Sequence, residues 1–167
     1  MSGETPALLK KREYPPVPFP YKRILCPVDF DQYSADALKE AAALALSSAG
    51  TVHVLHVVQI NPLVEQGATG GLAVGEIYDS QVELARKQVE QMLTTMPPEV
   101  NREVMIEIGE PVNWIAAAQT KLGADLIVMA THGRKGLKHL LLGSVAERVV
   151  RESPIPVLTV RPAAHDA

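Results

Sequence analysis

The chain has 167 residues, 47% of them hydrophobic and 21% charged, which suits one compact domain with a sizeable core and leaves no room for a second full one. The formal charge of -3 at pH 7 excludes a globally basic surface, so neither nucleic acid nor a membrane surface is expected as a partner. The longest apolar stretches fall well short of the roughly 20 residues that span a bilayer. The first twenty residues carry Lys10, Lys11 and Arg12 without the apolar core of a secretory signal, and a cytoplasmic location is expected.

Pro6, Pro15, Pro16, Pro18 and Pro20 block helix and ladder hydrogen bonds, so residues 1–20 read as an extended, proline-rich arm. Residues 21–162 read as the folded domain and 163–167 as a tail. The first strand is expected over Ile24, Leu25, Cys26, Pro27 and Val28, where the single cysteine reads as a small buried hydrophobe rather than a reactive thiol. Leu38, Ala41, Ala42, Ala45 and Ala49 then recur at helical spacing, and Gly50 reads as the stop. Val52, Val54, Leu55, Val57 and Val58 predict a second strand. The glycine-punctuated stretch from Ile60 to Gly75 is expected to be either disordered or a lid.

Ile77, Leu84, Ala85, Val89, Met92 and Leu93 mark the buried stripe of a second helix. Val104, Ile106 and Ile108 alternate with Glu103, Met105 and Glu107, the period of a strand near a sheet edge. Pro111 opens a third helix, with Trp114, Ile115, Ala118 and Leu122 on one face and Gly123 as its stop; Trp114 reads as a core or interface residue. Leu126 to Ala130 are unbroken apolar residues, as a central strand buried on both faces requires. Ser144 and Glu147 fit a capping box for a fourth helix through about Arg151. Ile155, Val157, Leu158 and Val160 form the last strand, placed at an edge by Pro154 and Pro156. Five strands interleaved with four helices predict an α/β fold, a single doubly wound parallel sheet with helices on both faces. Its ligands would sit beyond the carboxyl ends of the strands, where the winding reverses.

Two features stand at such ends. Asp29 follows the first strand, where its carboxylate either accepts from ribose hydroxyls or, with Asp31, complements the start of the next helix. After the fourth strand come Gly133, Arg134, Lys135, Gly136, Lys138, Gly143 and Ser144. Glycines admit backbone N–H groups to an anion, a helix N-terminus offers unpaired amides, and Arg134 adds positive charge, which together suit a phosphate. The segment has neither the Walker spacing nor a Rossmann G-x-G-x-x-G. No pair of histidines has zinc spacing with a cysteine or carboxylate. A magnesium ion arriving with a nucleotide would find its first protein oxygen at Asp29.

The run from Ala130 through Gly133, nine residues on to Gly143 and Ser144, resembles the glycine motif of the universal stress protein family, in its ATP-binding branch. Ala130 replaces that motif's first glycine. Pro27-Val28-Asp29, His56-Val57-Val58 and Pro156-Val157-Leu158-Thr159-Val160 extend the likeness over about 23–161. The resemblance implies a strand order of 3-2-1-4-5 and ATP as the ligand. It implies that Pro27, Val28 and Val57 border adenine, Asp29 and Ala130 the ribose, and Gly133, Gly143, Ser144 and Val145 the phosphates. It also implies a homodimer paired through the last strand, and a role in stress response through nucleotide-dependent regulation or partner interaction. The chain has no nucleophilic triad and no paired catalytic carboxylates, so efficient turnover is not expected. The alternatives are slow Mg²⁺-dependent ATP hydrolysis and an interaction dimer with an empty crevice.

Overall fold

The computed structural model describes residues 19–67, 70, 73–131 and 143–161. They form a five-stranded, wholly parallel sheet in the order β3-β2-β1-β4-β5. The strands are β1 (Arg23–Pro27), β2 (Thr51–Val58), β3 (Asn101–Ile108), β4 (Leu126–Ala130) and β5 (Val157–Val160). Connecting them are α1 (Gln32–Ser48), α2 (Pro62–Glu65), α3 (Val74–Leu93), α4 (Pro111–Leu122) and α5 (Ser144–Glu152). The expected fold class and strand order both hold.

Alternation along the strands sorts side chains to two faces. Ile24, Cys26, Val52, Val54 and Val128 pack with Leu38, Ala41, Ala45 and Val89 of α1 and α3. Leu25, Leu55, Ile127 and Met129 pack with Val112, Ile115, Ala146 and Val149 of α4 and α5. β4 is buried along its whole length, which explains its unbroken apolar sequence. The alanines of α1 keep that helix close to the sheet, because small side chains shorten the approach. β3 lies at one edge and β5 at the other, and Pro156 sits just before β5, where only its carbonyl is used, accepting from the Ile127 N–H at 3.0 Å.

Four local expectations need correction. α1 ends with Ala49, not Gly50, in the left-handed conformation (φ 50°). Gly50 is needed for another reason, since a Cβ there would lie 2.8 Å from the Lys22 carbonyl oxygen. Of the two readings of the stretch after β2, disorder does not hold for 61–67, which contain a helix, α2, capped by the Asn61 side chain and tied to α3 by the Asn61 N–H on the Tyr78 hydroxyl (3.0 Å), while residues 68, 69, 71 and 72 lie outside the described residues. Leu84 is 58% exposed rather than part of the α3 core stripe. Finally, α5 has no capping box: Gly143 is the N-cap without a side-chain bond, and Ser144 is the first helical residue.

Candidate functional site

The winding reverses between β1 and β4, and beyond the carboxyl ends of the strands lies a cleft of about 770 Å³. That is a size typical of small-molecule sites. Pro27, Val28, Asp29, Val57, Ala130, Gly143, Ser144 and Val145 all line it. Eight residues singled out in the sequence are therefore brought to one place from four separate segments. Gly133 and Arg134 lie outside the described residues.

Asp29 is held by the start of α1. The Ser34 hydroxyl donates to Asp29 Oδ1 at 2.5 Å and accepts from the Asp29 N–H at 3.1 Å, while the Asp31 N–H reaches the same Oδ1 at 3.4 Å. Asp31, rather than Asp29, caps the helix, accepting from the Ser34 N–H at 2.6 Å. The two readings of Asp29 thus separate: the capping work falls to Asp31, and Asp29 lines the cleft. Asp31 has a carboxyl pushed above the usual range, chiefly by burial and further by the charge of Asp29, against the lowering pull of the Ser34 N–H.

At the opposite wall, α5 points its N-terminus at the cleft. The first intrahelical bond runs from the Glu147 N–H to the Gly143 carbonyl at 2.8 Å, which leaves the N–H groups of Ser144, Val145 and Ala146 without an acceptor inside the helix. These amides and the helix dipole favour an anion. The Gly143 N–H donates to the Thr131 carbonyl at 2.6 Å, and the Thr131 N–H to the Val160 carbonyl at 3.1 Å, so the start of α5 is fixed to the ends of β4 and β5. Ala130, which replaces a glycine of the family motif, sits against the α1 side of the core, where its methyl is accommodated.

Sequence reasoning missed a set of lining residues. Phe30 and His56 stack with ring centroids 4.0 Å apart and planes tilted by 30°, and His56 Nδ1 lies 2.8 Å from the Val28 carbonyl. Gln81, Leu84, Ala85 and Gln88 present one face of α3 to the cleft. Their spacing of three, four and seven was visible, but which face would meet the cleft was not. Among the described lining residues, Asp29 and His56 are the ionisable ones. Among the described residues no group of three or more His, Cys, Asp or Glu could hold a metal ion, and no helix is long and apolar enough to cross a membrane.

Comparison with known proteins adds three findings. The model of the universal stress protein family matches residues 20–161. Universal stress protein MJ0531 of Methanocaldococcus jannaschii is 37% identical over 142 residues, covering 84% of this chain and 82% of its own length. A solved structure of the M. jannaschii protein MJ0577, 30% identical, superposes with a TM-score of 0.75 over 86% of this chain and 97% of that one.

Proposed function

The chain belongs to the universal stress protein family, and from that premise we propose that it binds an adenine nucleotide, with ATP as the leading ligand, in the cleft between β1 and β4. The observation that carries this reading is the pairing of Asp29 with the three unpaired amides of Ser144, Val145 and Ala146 across one cleft. A nucleotide has both of the groups such a cleft calls for, a polyhydroxylated sugar for a carboxylate and a phosphate chain for a helix N-terminus. The same cleft is lined by Pro27, Val28 and Val57, apolar walls suited to a base. Gly143, Ser144 and Val145 would hold the phosphates, Asp29 and Ala130 the ribose. Gly133 and Arg134 are proposed to complete the phosphate site.

A magnesium ion carried in on the phosphates would take an oxygen of Asp29, one of whose oxygens already accepts from Ser34 and Asp31. Mg²⁺ commonly keeps waters and phosphate oxygens as its other ligands, so a single protein carboxylate suffices. The proposed role is a cytoplasmic stress-response protein in which nucleotide occupancy shifts a conformational or partner-binding equilibrium. The assembly proposed is a homodimer through β5, an edge strand on which Leu158 is 40% exposed.

The test is isothermal titration calorimetry on protein stripped of bound nucleotide, with ATP, ADP, AMP and cAMP in the presence of Mg²⁺, on wild type and Gly143→Val. The backbone at Gly143 (φ -69°, ψ 156°) is one that valine adopts without strain, and circular dichroism checks that the variant is folded. Saturable ATP binding that drops at least tenfold in the variant supports the reading. Folded, stripped wild type that binds none of the four nucleotides overturns it and leaves the interaction dimer.

A further inference from the structure

The two edges of the sheet are built differently. β5 is four residues long and follows Pro154 and Pro156. β3 runs for eight residues without a proline or a glycine and pairs with β2 along its whole length, while its other side is the edge of the sheet. In a parallel pair alternate residues turn their N–H and C=O groups toward the neighbouring strand, so the others of β3 turn theirs outward. Among the described residues, the backbone of residues 101–107 bonds to no element but β2. Such a row of open donors and acceptors is a template for another strand.

The side chains of this edge say which strand would fit. Val104 and Ile106 turn to the α3 side of the sheet, where they pack against the apolar clusters. Glu103, Met105 and Glu107 stand in line on the opposite face. Met105 is half-buried at the margin of the α4-side cluster, Glu103 is exposed and Glu107 half-buried. Among the described residues, no lysine or arginine pairs with either glutamate; the imidazole of His53 lies 3.2 Å from Glu103. The edge therefore shows an acid, an apolar group and an acid at alternate positions, over about 13 Å.

We infer that the β3 edge docks an extended segment of another protein as a sixth strand, one with basic, apolar and basic residues at alternate positions. Side chains directly opposite each other on neighbouring strands stand about 5 Å apart, so the basic groups would meet Glu103 and Glu107 and the apolar one Met105. The two intervening residues would lie beside Val104 and Ile106, where β-branched side chains suit the half-buried surface. The pattern reads the same from either end, so it fits a parallel or an antiparallel strand. A second copy of this chain is the wrong occupant. Two β3 edges paired in register, or antiparallel about Met105, would set glutamate opposite glutamate, which is destabilising. The same two charges thus guard the edge against self-pairing and select a partner of opposite sign. The surface is separate from the nucleotide cleft, since none of residues 101–107 is among the described residues that line it.

The experiment titrates the full chain with the end-blocked peptide Ser-Lys-Val-Leu-Val-Lys-Ser and follows the backbone amides by NMR. The expected result is saturable shifts centred on β3 and the adjoining part of β2. Glu103→Gln combined with Glu107→Gln should weaken binding at least tenfold. The same residues in the order Ser-Val-Lys-Leu-Lys-Val-Ser, which sets the lysines two positions apart instead of four, should also bind at least tenfold more weakly. Charge reversal, Glu103→Lys with Glu107→Lys, should transfer the preference to Ser-Glu-Val-Leu-Val-Glu-Ser, and circular dichroism checks that each variant is folded. An absence of shifts in β3, equal binding of the two lysine peptides, or binding indifferent to the glutamine pair overturns the inference. So does a wild-type dimer, seen by sedimentation, that the first peptide dissociates, because a second copy would then be the strand that covers β3.

Discussion

Ser34 and Asp29 are joined by two hydrogen bonds in opposite senses, one from hydroxyl to carboxylate and one from backbone N–H to hydroxyl. The serine is buried, so neither bond is readily replaced by water. The pair couples the first turn of α1 to the cleft and sets where the carboxylate of Asp29 stands.

Ser34→Ala should therefore cost stability and function together. Losing the hydroxyl leaves the Asp29 N–H without this acceptor and removes a charge-assisted bond, a change worth about 1–3 kcal/mol. Urea denaturation should show a lower midpoint with an unchanged slope. Ser34→Thr keeps the hydroxyl and should recover part of the loss; an alanine variant as stable as wild type would show that the clamp carries no weight.

Asp31→Asn should stabilise the protein at neutral pH. Burial raises the Asp31 carboxyl above its ordinary value of 3.8, so the folded state holds this proton more tightly than the unfolded state does. Its ionised form therefore lowers stability at any pH above the raised folded value, and the penalty fades as pH falls toward 3.8 and is absent below it. Asparagine keeps the oxygen that accepts from the Ser34 N–H, and it is an equally good N-cap. The gain in thermal midpoint should be present at pH 7 and should vanish below about pH 3.8, a pattern that an effect unrelated to titration would not produce.

Gly109 and Trp114 make a second pair that tolerates little change. The glycine has φ 146°, and a Cβ on it would lie 2.8 Å from the indole Nε1, the atom that donates to the Ile108 carbonyl at 2.9 Å. Gly109→Ala combines backbone strain with displacement of the ring, and should cost about 1–3 kcal/mol. Trp114 is the single tryptophan, so its fluorescence should shift to the red as the indole is pushed toward water. Unchanged emission and an unchanged melting temperature would show that α4 absorbs the substitution.

Cys26 is fully buried in the α1-side core, and burial pushes its thiol up to about 12. Little thiolate exists at pH 8, and reagent has no access to it. Iodoacetamide labelling of the native protein should proceed only through opening of the fold, and its rate should rise with urea in parallel with global unfolding. Rapid labelling without denaturant would mean that the core opens locally around β1.

Much of this architecture was legible because the signals were long or redundant. The five consecutive apolar residues of β4 announced a strand covered on both faces, and Pro111 and Gly123 bracketed α4 at its observed ends. The parts that were not legible depended on single residues or on rotation about a helix axis. Ser144 and Glu147 have the spacing of a capping box, but Gly143 takes the N-cap place, so the spacing alone was one position out of step. α2 is four residues long, too short for any period to show. Of the candidate site, the residues at strand ends were legible because topology fixes where strand ends go. Gln81 and Gln88 were not, because nothing in their type or spacing tells which side of α3 meets the cleft.

The pairing of strands is uneven across the sheet. β2 and β3 are matched over eight residue pairs and β1 and β2 over five, whereas β1 and β4 share two, Ile24 with Leu126 and Leu25 with Ile127. The shortest seam of the sheet is therefore the line above which the cleft opens. A small shear along it would widen or narrow the cleft while each half of the sheet kept its own hydrogen bonds. A molecule spanning the ends of β1 and β4 would act as a rivet across that seam, and its presence would register as slower amide exchange in the backbone of both strands.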